Sequence, residues 1–417
     1  MDRSILVHMH TPSHEDVFGG TLRSRVLRGK EVFSFEASEA WIGRSLFRFL
    51  DPDLGQFSGP QYLRDDKPNF GLFLDSSPDR WGRLLMRRRE ALQAKLEGRK
   101  ARPLAETDYL LGVFDGNRMG ALRFKEDRDG AFLDDRAELA APPFARLRQL
   151  EQASLHLEAE DAQESDEYAK WLGMLVAPGS SLGGARPKAN VVDPAGDLWI
   201  AKFPSAGDVV DQGAWEAVAA TLALRCGIVV PESRAERFGR KGHTFLSRRF
   251  DRSAGARLHF ASAMTLLGMR DGADSADGNS YLDLAELIIR RGATVDADLQ
   301  QLWRRIAFGV AISNTDDHLR NHGFVLGAHG WSLSPAYDLN PNPDGTGLTL
   351  NISESDNALD FGLVMDVSRH FRVPSQTAKQ TLEEIGRIVP TWREVARSLG
   401  IARQEQEAMA SAFRVPG

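Results

Sequence analysis

The chain has 417 residues, 52 Lys and Arg against 58 Asp and Glu, and a formal net charge of −6. Its 42% apolar and 26% charged composition is that of an ordinary globular protein and excludes collagen-like, disordered and disulfide-framework classes. Cys226 is the only cysteine, which excludes an intramolecular disulfide and a thiolate metal cluster and fits a reducing compartment. The acidic balance argues against a dedicated nucleic-acid binder. No apolar run is long enough for a membrane span, and the first residues lack a signal-peptide core, so a cytoplasmic protein with no membrane contact is expected.

In chain order, residues 1–50 read as β-rich. Ser4–His10 is one short apolar run, and EVFSFEASEAW follows the turn signal Gly29-Lys30. His8, His10 and His14 have metal-ligand spacing, but solvated imidazoles on an edge strand are the simpler expectation. A helix is predicted from about residue 78, with Ser76 or Ser77 as cap, Pro78 in the first turn, and Trp81, Leu84, Leu85 and Leu92 along one face. Between Arg80 and Arg102 stand nine Lys/Arg and two Glu, a local +7. That is either a solvated face or a surface turned toward nucleic acid or an acidic partner. Residues 151–169 hold seven Asp/Glu and no Lys or Arg, which suggests an acidic surface segment after a module boundary near 145.

Two apolar runs, Met174–Val176 and Ala189–Val192, then flank a small-residue loop from Pro178 to Pro187. DLWIAKFPS alternates Leu198, Ile200 and Lys202 with Trp199, Ala201 and Phe203, as a strand does. A helix is expected over about Gln212–Cys226, stopped by Gly227, and TFLSRRFD reads as another strand. Beyond residue 255 the chain looks mainly helical. Leu299, Leu302, Trp303, Ile306 and Val310 share a helical face, and a hairpin carries Phe324–Leu326 and Trp331–Leu333.

The strongest chemical constellation is NTDDHLRNHGF followed by SPAYD. Asp316 and Asn321 are five apart, the spacing of Asp and Asn in the catalytic loop of protein kinases. One carboxylate meets the substrate hydroxyl while an amide oxygen, one loop-turn later, ligates Mg²⁺. Asp338 lies beyond the predicted hairpin, which would return a second hard oxygen ligand to the loop. Asp317 is adjacent to Asp316, but only Asp316 gives the five-residue spacing. Upstream, an inward-facing strand lysine such as Lys202 is unusual unless paired, and Glu216 is a suitable partner. The loop PGSSLGGARPK offers Gly183 and Gly184 for close backbone approach to phosphates, with Arg186 and Lys188 as nearby cations. His318 and His322 stand at zinc-pair spacing without the glutamate of H-E-x-x-H, so His318 is read as an organiser of the loop. Cys226 reads as core packing.

Six segments in this order resemble the HipA family, the serine/threonine-kinase toxins of bacterial HipBA toxin–antitoxin systems. They are LFLDSSPDRWG, SSLGGARPKA, WIAKF, FLSRRFDR, NTDDHLRNHGF and SPAYDLNP. The resemblance implies an α+β, bilobal protein-kinase-like fold. Its expected parts are an N-terminal α+β module over 1–145, a nucleotide-binding lobe over 146–252 and a mainly helical C-terminal lobe over 253–417. It implies Asp316 as catalytic base, Asn321 and Asp338 as Mg²⁺ ligands, and Lys202 on the phosphates of ATP. Gly183, Gly184, Lys188 and His318 count with the nucleotide-binding residues. The backbone around Arg248 to Phe250 would accept adenine, with Phe250 packed near the base. Autophosphorylation would fall on Ser181, with Ser180 as an adjacent competitor, adding about −1.5 to −2 charge to the loop. The implied partners are a protein substrate, aminoacyl-tRNA synthetases being the best-known family targets, and a small helix-turn-helix antitoxin through which DNA is reached. Two alternatives are a non-catalytic or weakly catalytic corepressor partner of such an antitoxin, and a kinase of small molecules or lipid headgroups.

Overall fold

The protein's computed structural model describes residues 2–11, 13, 15–43, 50–63, 67–159, 162–176, 184, 186–253 and 255–416. Contacts divide the chain into two units, Met1–Gly207 with Asp251–Ala261, and Asp208–Phe250 with Ser262–Gly417. The secondary structure is mixed α and β, as the sequence implies.

The first unit is built on an antiparallel sheet. Its strands are β1 (Arg3–His10), β2 (Asp16–Leu27), β3 (Lys30–Ala37), β4 (Pro60–Tyr62) and β5 (Leu122–Lys125), in the order β4-β3-β2-β1-β5. Period-two alternation buries Ile5, Val7 and Met9 of β1 on one face. The β2–β3 turn is Arg28-Gly29, both at positive φ, the twist that a two-residue hairpin loop needs. β1 lies inside the sheet, between β2 and β5, so the expected edge strand of solvated histidines is corrected. His8 packs against Phe18 and Phe132, and His10 bonds Asp16 at 3.0 Å.

Short helices α1 (Glu39–Ile42) and α2 (Gly71–Leu74) lead to the long α3 (Arg80–Leu96) and then α4 (Glu106–Leu111). The cap of α3 is Asp79, whose Oδ1 accepts the Gly82 N–H at 2.7 Å. Ser76 and Ser77 do not cap it; their hydroxyls donate back to the carbonyls of Leu72 and Phe73, closing α2. Part of the basic charge on and after α3 is paired within its own unit. Arg83 grips Glu106 with two bonds, Arg88 donates to the Leu157 carbonyl, and beyond the helix Arg99 and Arg102 pair with Glu90 and Asp108. Arg118, fully buried, donates to the carbonyls of Ser76, Leu110, Val113 and Leu133, and burial pushes its pKa down to about 9.

The acidic stretch is not simply surface. α5 (Leu147–Glu158) buries Leu150, Glu151, Ala153 and Leu157 and packs on α6 (Tyr168–Val176), which also meets α3. The hairpin of β6 (Lys188–Val192) and β7 (Leu198–Lys202) completes this part of the chain. Trp81 Nε1 donates to the Lys188 carbonyl at 3.1 Å, which helps explain why contacts group the hairpin with the first 145 residues rather than at a cut near 145. The later segment Asp251–Ala261, carrying β10 (Arg252–Ser253) and β11 (Ala256–Arg257), joins the same unit. There Gly120 N–H donates to Asp251, Arg252 donates to the Arg118 carbonyl, and Arg257 pairs with Asp115.

In the second unit α7 (Gln212–Arg225) ends at Cys226, and Gly227 takes the left-handed φ of +72° that stops a helix. Strands β8 (Ser233–Glu236) and β9 (Thr244–Arg248) pair antiparallel. After β12 (His259–Ser262), of which all but Ser262 belongs to the first unit, and α8 (Ala263–Leu266), helix α9 (Tyr281–Arg291) starts on a Ser280 capping box. Helix α10 (Val295–Ala311) buries Leu299, Leu302, Trp303, Ile306 and Val310, as their spacing predicts. The hairpin β13 (Gly323–Gly327) and β14 (Gly330–Leu333) follows, with Phe324 opposite Leu333. Helices α11 (Phe361–Val367), α12 (Ser375–Ile388), α13 (Trp392–Ser398) and α14 (Arg403–Ala408) close the unit, with α11 and α12 packed on α10. The α7 residue Trp215 meets Trp392 and Phe413 and donates to Glu405.

Candidate active site

The end of α10 delivers the chain into the loop of interest. Ser313, at φ 49°, turns the backbone, and Arg414 braces the turn through its N–H on the Ala311 carbonyl and its Nε on Ser313 Oγ. Within the loop the Asp316 carbonyl accepts from the His318 N–H at 3.1 Å and from Asn321 Nδ2 at 2.9 Å. The Asn321 N–H donates to the His318 carbonyl at 2.8 Å. These bonds orient the Asn321 amide: with Nδ2 committed to a carbonyl, Oδ1 is the atom left for a cation.

The two adjacent aspartates have opposite surroundings. The Asp316 side chain is exposed. The Asp317 carboxylate is buried, accepting from Tyr281 OH at 2.6 Å and lying 3.1 Å from His322 Nε2. Burial alone would raise its pKa, but the His322 charge and the bonds from His322 and Tyr281 outweigh it and hold the group below the usual carboxylate range. The Tyr281 hydroxyl is pushed well above its ordinary value by burial and by the Asp317 charge. Asp317 therefore has its partners inside the fold, and Asp316 is the carboxylate presented outward.

The hairpin expected to return Asp338 to the loop is present, and it is fastened there. Ser334 N–H donates to the Gly323 carbonyl, Tyr337 OH to the Arg320 carbonyl at 2.7 Å, and Asn340 N–H to Asn314 Oδ1 at 3.1 Å. Asn342 Nδ2 and Thr349 Oγ1 bond Thr315, each at 2.7 Å. Asp338 thus sits between two anchors on the 314–320 segment. Its φ of +60° is left-handed, a conformation that Asp and Asn tolerate better than most side chains. An Asn oxygen and a carboxylate are hard ligands that leave most of an octahedral shell to water and phosphate oxygens, which suits Mg²⁺. Among the described residues no group of three His, Cys, Asp or Glu forms a metal cluster.

The remaining candidates are placed as follows. His318 Nδ1 is buried with no hydrogen-bond partner among the described residues. Arg248 ends β9, its N–H donating to the Glu232 carbonyl at 2.8 Å. Phe250 stacks on Tyr337 at 5.8 Å between ring centroids, so the expected adenine-side ring and the Asp338 segment are tied together in one unit. In the first unit Lys202 lies on the half-exposed face of β7 with Leu198 and Ile200, while Trp199 and Ala201 fill the core. Lys202 is half-buried there, and Asn190, opposite Ile200 on the same face of the hairpin, is buried. Lys188, its register partner, is buried, and its ammonium lies 3.1 Å from Asp79 Oδ2. Gly184, at φ +100°, passes so near that a Cβ there would lie 3.2 Å from Lys188 Nζ. Ser180, Ser181 and Gly183 lie outside the described residues. A separate pocket of about 400 Å³ lined by Thr221, Arg225, Arg234 and Glu394 contains none of the candidate residues.

Sequence reasoning missed the supporting cast. Asn314, Thr315, Tyr337 and Asn340 stand inside the two quoted motifs, so motif membership was the available signal. Asp79 also stood in a quoted segment, but its partner is 109 positions away. Tyr281 had no signal beyond its place after a capping serine.

Comparison with known proteins bears on the family and the fold. Residues 180–392, more than half the chain, match the family model described as the HipA-like C-terminal domain. A Haemophilus influenzae protein named "Putative kinase" is 30% identical over 132 residues, which is 28% of this chain and 38% of that protein's length. The solved structure of the Shewanella oneidensis MR-1 toxin–antitoxin system of HipA, HipB and operator DNA holds a chain that superposes with a TM-score of 0.63 at 17% identity. The superposition covers 98% of this chain and 94% of that one, which shows a shared fold. The Helicobacter pylori proinflammatory kinase CtkA matches at a TM-score of 0.43 and 14% identity over 55% of this chain and 88% of its own, too low to argue from. No helix among the described residues is long and apolar enough to cross a membrane. On the family match, carried by the segment that holds the 314–323 loop, the chain belongs to the HipA family.

Proposed function

We propose that this chain is an ATP- and Mg²⁺-dependent serine/threonine protein kinase, the toxin of a HipBA-type toxin–antitoxin pair. The observation that carries the reading is the 314–323 loop, where Asp316 is exposed, Asp317 is internally satisfied and Asn321 is held with its amide nitrogen turned to a carbonyl. In this reading Asp316 takes the proton of the substrate hydroxyl as that oxygen attacks the γ-phosphorus and the bond to the bridging oxygen of ADP breaks. Asn321 Oδ1 and the Asp338 carboxylate hold Mg²⁺, which supplies neutralisation of the charge on the phosphate oxygens. By the family resemblance Lys202 would bind phosphates of ATP and the Arg248–Phe250 backbone would receive adenine, with His318 counted among the nucleotide-binding residues.

The resemblance to HipA proteins supports autophosphorylation at Ser181 or Ser180 and a protein substrate of the aminoacyl-tRNA synthetase kind. The structural neighbour with HipB and operator DNA supports a small helix-turn-helix antitoxin as partner, with DNA reached through it. The internal pairing of Arg83, Arg99 and Arg102 supports an indirect route to DNA rather than a DNA-facing α3. Incubation with Mg²⁺ and labelled ATP is expected to give phosphoserine at position 180 or 181. Asp316→Asn is expected to abolish it, and full labelling of that variant would refute the assignment.

A further inference from the structure

We propose that Arg305 is a positioning residue for the metal site, tying the segment that carries Asp338 to α10, the helix that leads into the loop carrying Asn321. The inference rests on the kinase reading and deepens it, by naming what sets the spacing of the two metal ligands.

Arg305 lies in the buried part of α10 and is 7% exposed. Burial pushes its pKa down to about 10, with Asp317, Tyr337 and Asp298 opposing the shift, so it is a cation at neutral pH. Its Nη2 donates to the Ser334 carbonyl, the one side-chain hydrogen bond it makes among the described residues, and its buried Nε has no partner there. Arg118, buried in the first unit, is by contrast shared among four carbonyls. A guanidinium taken out of water for one carbonyl is a poor exchange in stability. What the bond supplies is a fixed place for residue 334.

Three connections then close on one another. Helix α10 continues through Ser313 into the loop, and Arg414 braces that turn. The loop holds the Asp338 segment through Ser334 N–H on the Gly323 carbonyl, Tyr337 OH on the Arg320 carbonyl and Asn340 N–H on Asn314 Oδ1. Those bonds hang the segment from the loop alone, free to tilt against the helix. Arg305 supplies the third side, from the segment back to α10. With all three in place the separation of Asn321 and Asp338 is set before a cation arrives. A ligand set held in its binding geometry needs no ordering when the cation binds.

Electron paramagnetic resonance titration of the full chain with Mn²⁺ and a non-hydrolysable ATP analogue reads metal affinity directly, and calorimetry with the analogue alone reads nucleotide affinity. Arg305→Met is expected to weaken Mn²⁺ binding about tenfold, as loss of an outer support of a metal ligand does, with analogue affinity kept within about twofold. Arg305→Lys keeps the cation but replaces the planar fork with a shorter point charge, and should weaken Mn²⁺ about threefold. The Mg²⁺ concentration that half-saturates phosphoryl transfer should rise in step. Leu302→Ala opens a cavity in the core of the same helix and is expected to lower the melting temperature while leaving Mn²⁺ affinity as in wild type. If Leu302→Ala weakens Mn²⁺ as much as Arg305→Met, Arg305 acts through stability alone and the proposal is overturned. It is also overturned if every folded Arg305 variant holds Mn²⁺ as tightly as wild type; should Arg305→Met fail to fold, Arg305→Lys decides. Wild type that binds the analogue but holds no Mn²⁺ beside it would sink the metal reading of Asn321 and Asp338, and this inference with it, before any variant is made.

Discussion

The β6–β7 hairpin and the 314–323 loop solve the same problem with opposite charge. Each carries two like-charged side chains where the proposed chemistry uses one, Lys188 with Lys202 and Asp316 with Asp317. In each, one of the two is buried against fixed partners: Lys188 against Asp79, and Asp317 against Tyr281 and His322. The other lies toward the open, Lys202 on the half-exposed face of its strand and Asp316 exposed. Burying a charge is costly unless it is paired, so the buried member of each pair is tied to its partners and is poorly placed for a substrate. Adjacent identical residues are thus separable by what surrounds them, although the sequence presents them as equivalents.

The comparison breaks first, and hardest, on activity. Asp316→Asn is expected to lower phosphoryl transfer by about 10²- to 10⁴-fold, the range of a lost general base, read by label incorporation at saturating ATP. Stability is expected to rank the two aspartates the other way. Asp317→Ala strands the Tyr281 hydroxyl and a His322 nitrogen in the interior and should cost about 3 kcal/mol in urea denaturation. Asp316→Ala, at an exposed position, should stay within about 0.5 kcal/mol of wild type. Equal stability losses in the two variants would remove the distinction. Tyr281→Phe deletes one of the two bonds to Asp317 and is expected to cost about 1 kcal/mol, with kcat reduced less than by any change at Asp316.

The smallest effect concerns pH. Asp317 is held below the usual carboxylate range, so its contribution to stability is complete above about pH 4 and is lost as pH falls through its lower folded value. The stability gap between wild type and Asp317→Asn should therefore be widest near neutrality and narrow steadily on acidification. A gap that widens in acid would mean that Asp317 is protonated in the native protein.

What was legible in the sequence was local. The five-residue interval from Asp316 to Asn321 needs no tertiary knowledge, nor does the hairpin after it, the face of α10 or the Gly227 stop. The choice between Asp316 and Asp317 could be guessed from spacing, but its physical reason is Tyr281, 36 residues upstream. The cap of α3 went to Asp79 rather than Ser76 or Ser77 because the serines spend their hydroxyls on the preceding turn. The histidines of β1 were misjudged as edge residues because strand order is set by long-range pairing with β5. Formal charge counts failed in the same way. Arg83 and Arg102 of the basic segment 80–102 are met by Glu106 and Asp108, just beyond the window counted, and the acidic stretch conceals a helix that buries Glu151.

Asp338 combines two demands at a single position. Its carboxylate is proposed to serve Mg²⁺, while its φ of +60° suits glycine, asparagine and aspartate and strains almost everything else. The side chains that tolerate this backbone most readily are therefore few, and of these three aspartate carries the negative charge. On the kinase reading, a lineage released from selection for catalysis would not scatter at this position as it would on an ordinary loop. Its first stops would be Asn or Gly, folded and silent, so those two residues at 338 would mark a relative that had given up phosphoryl transfer while keeping its partners.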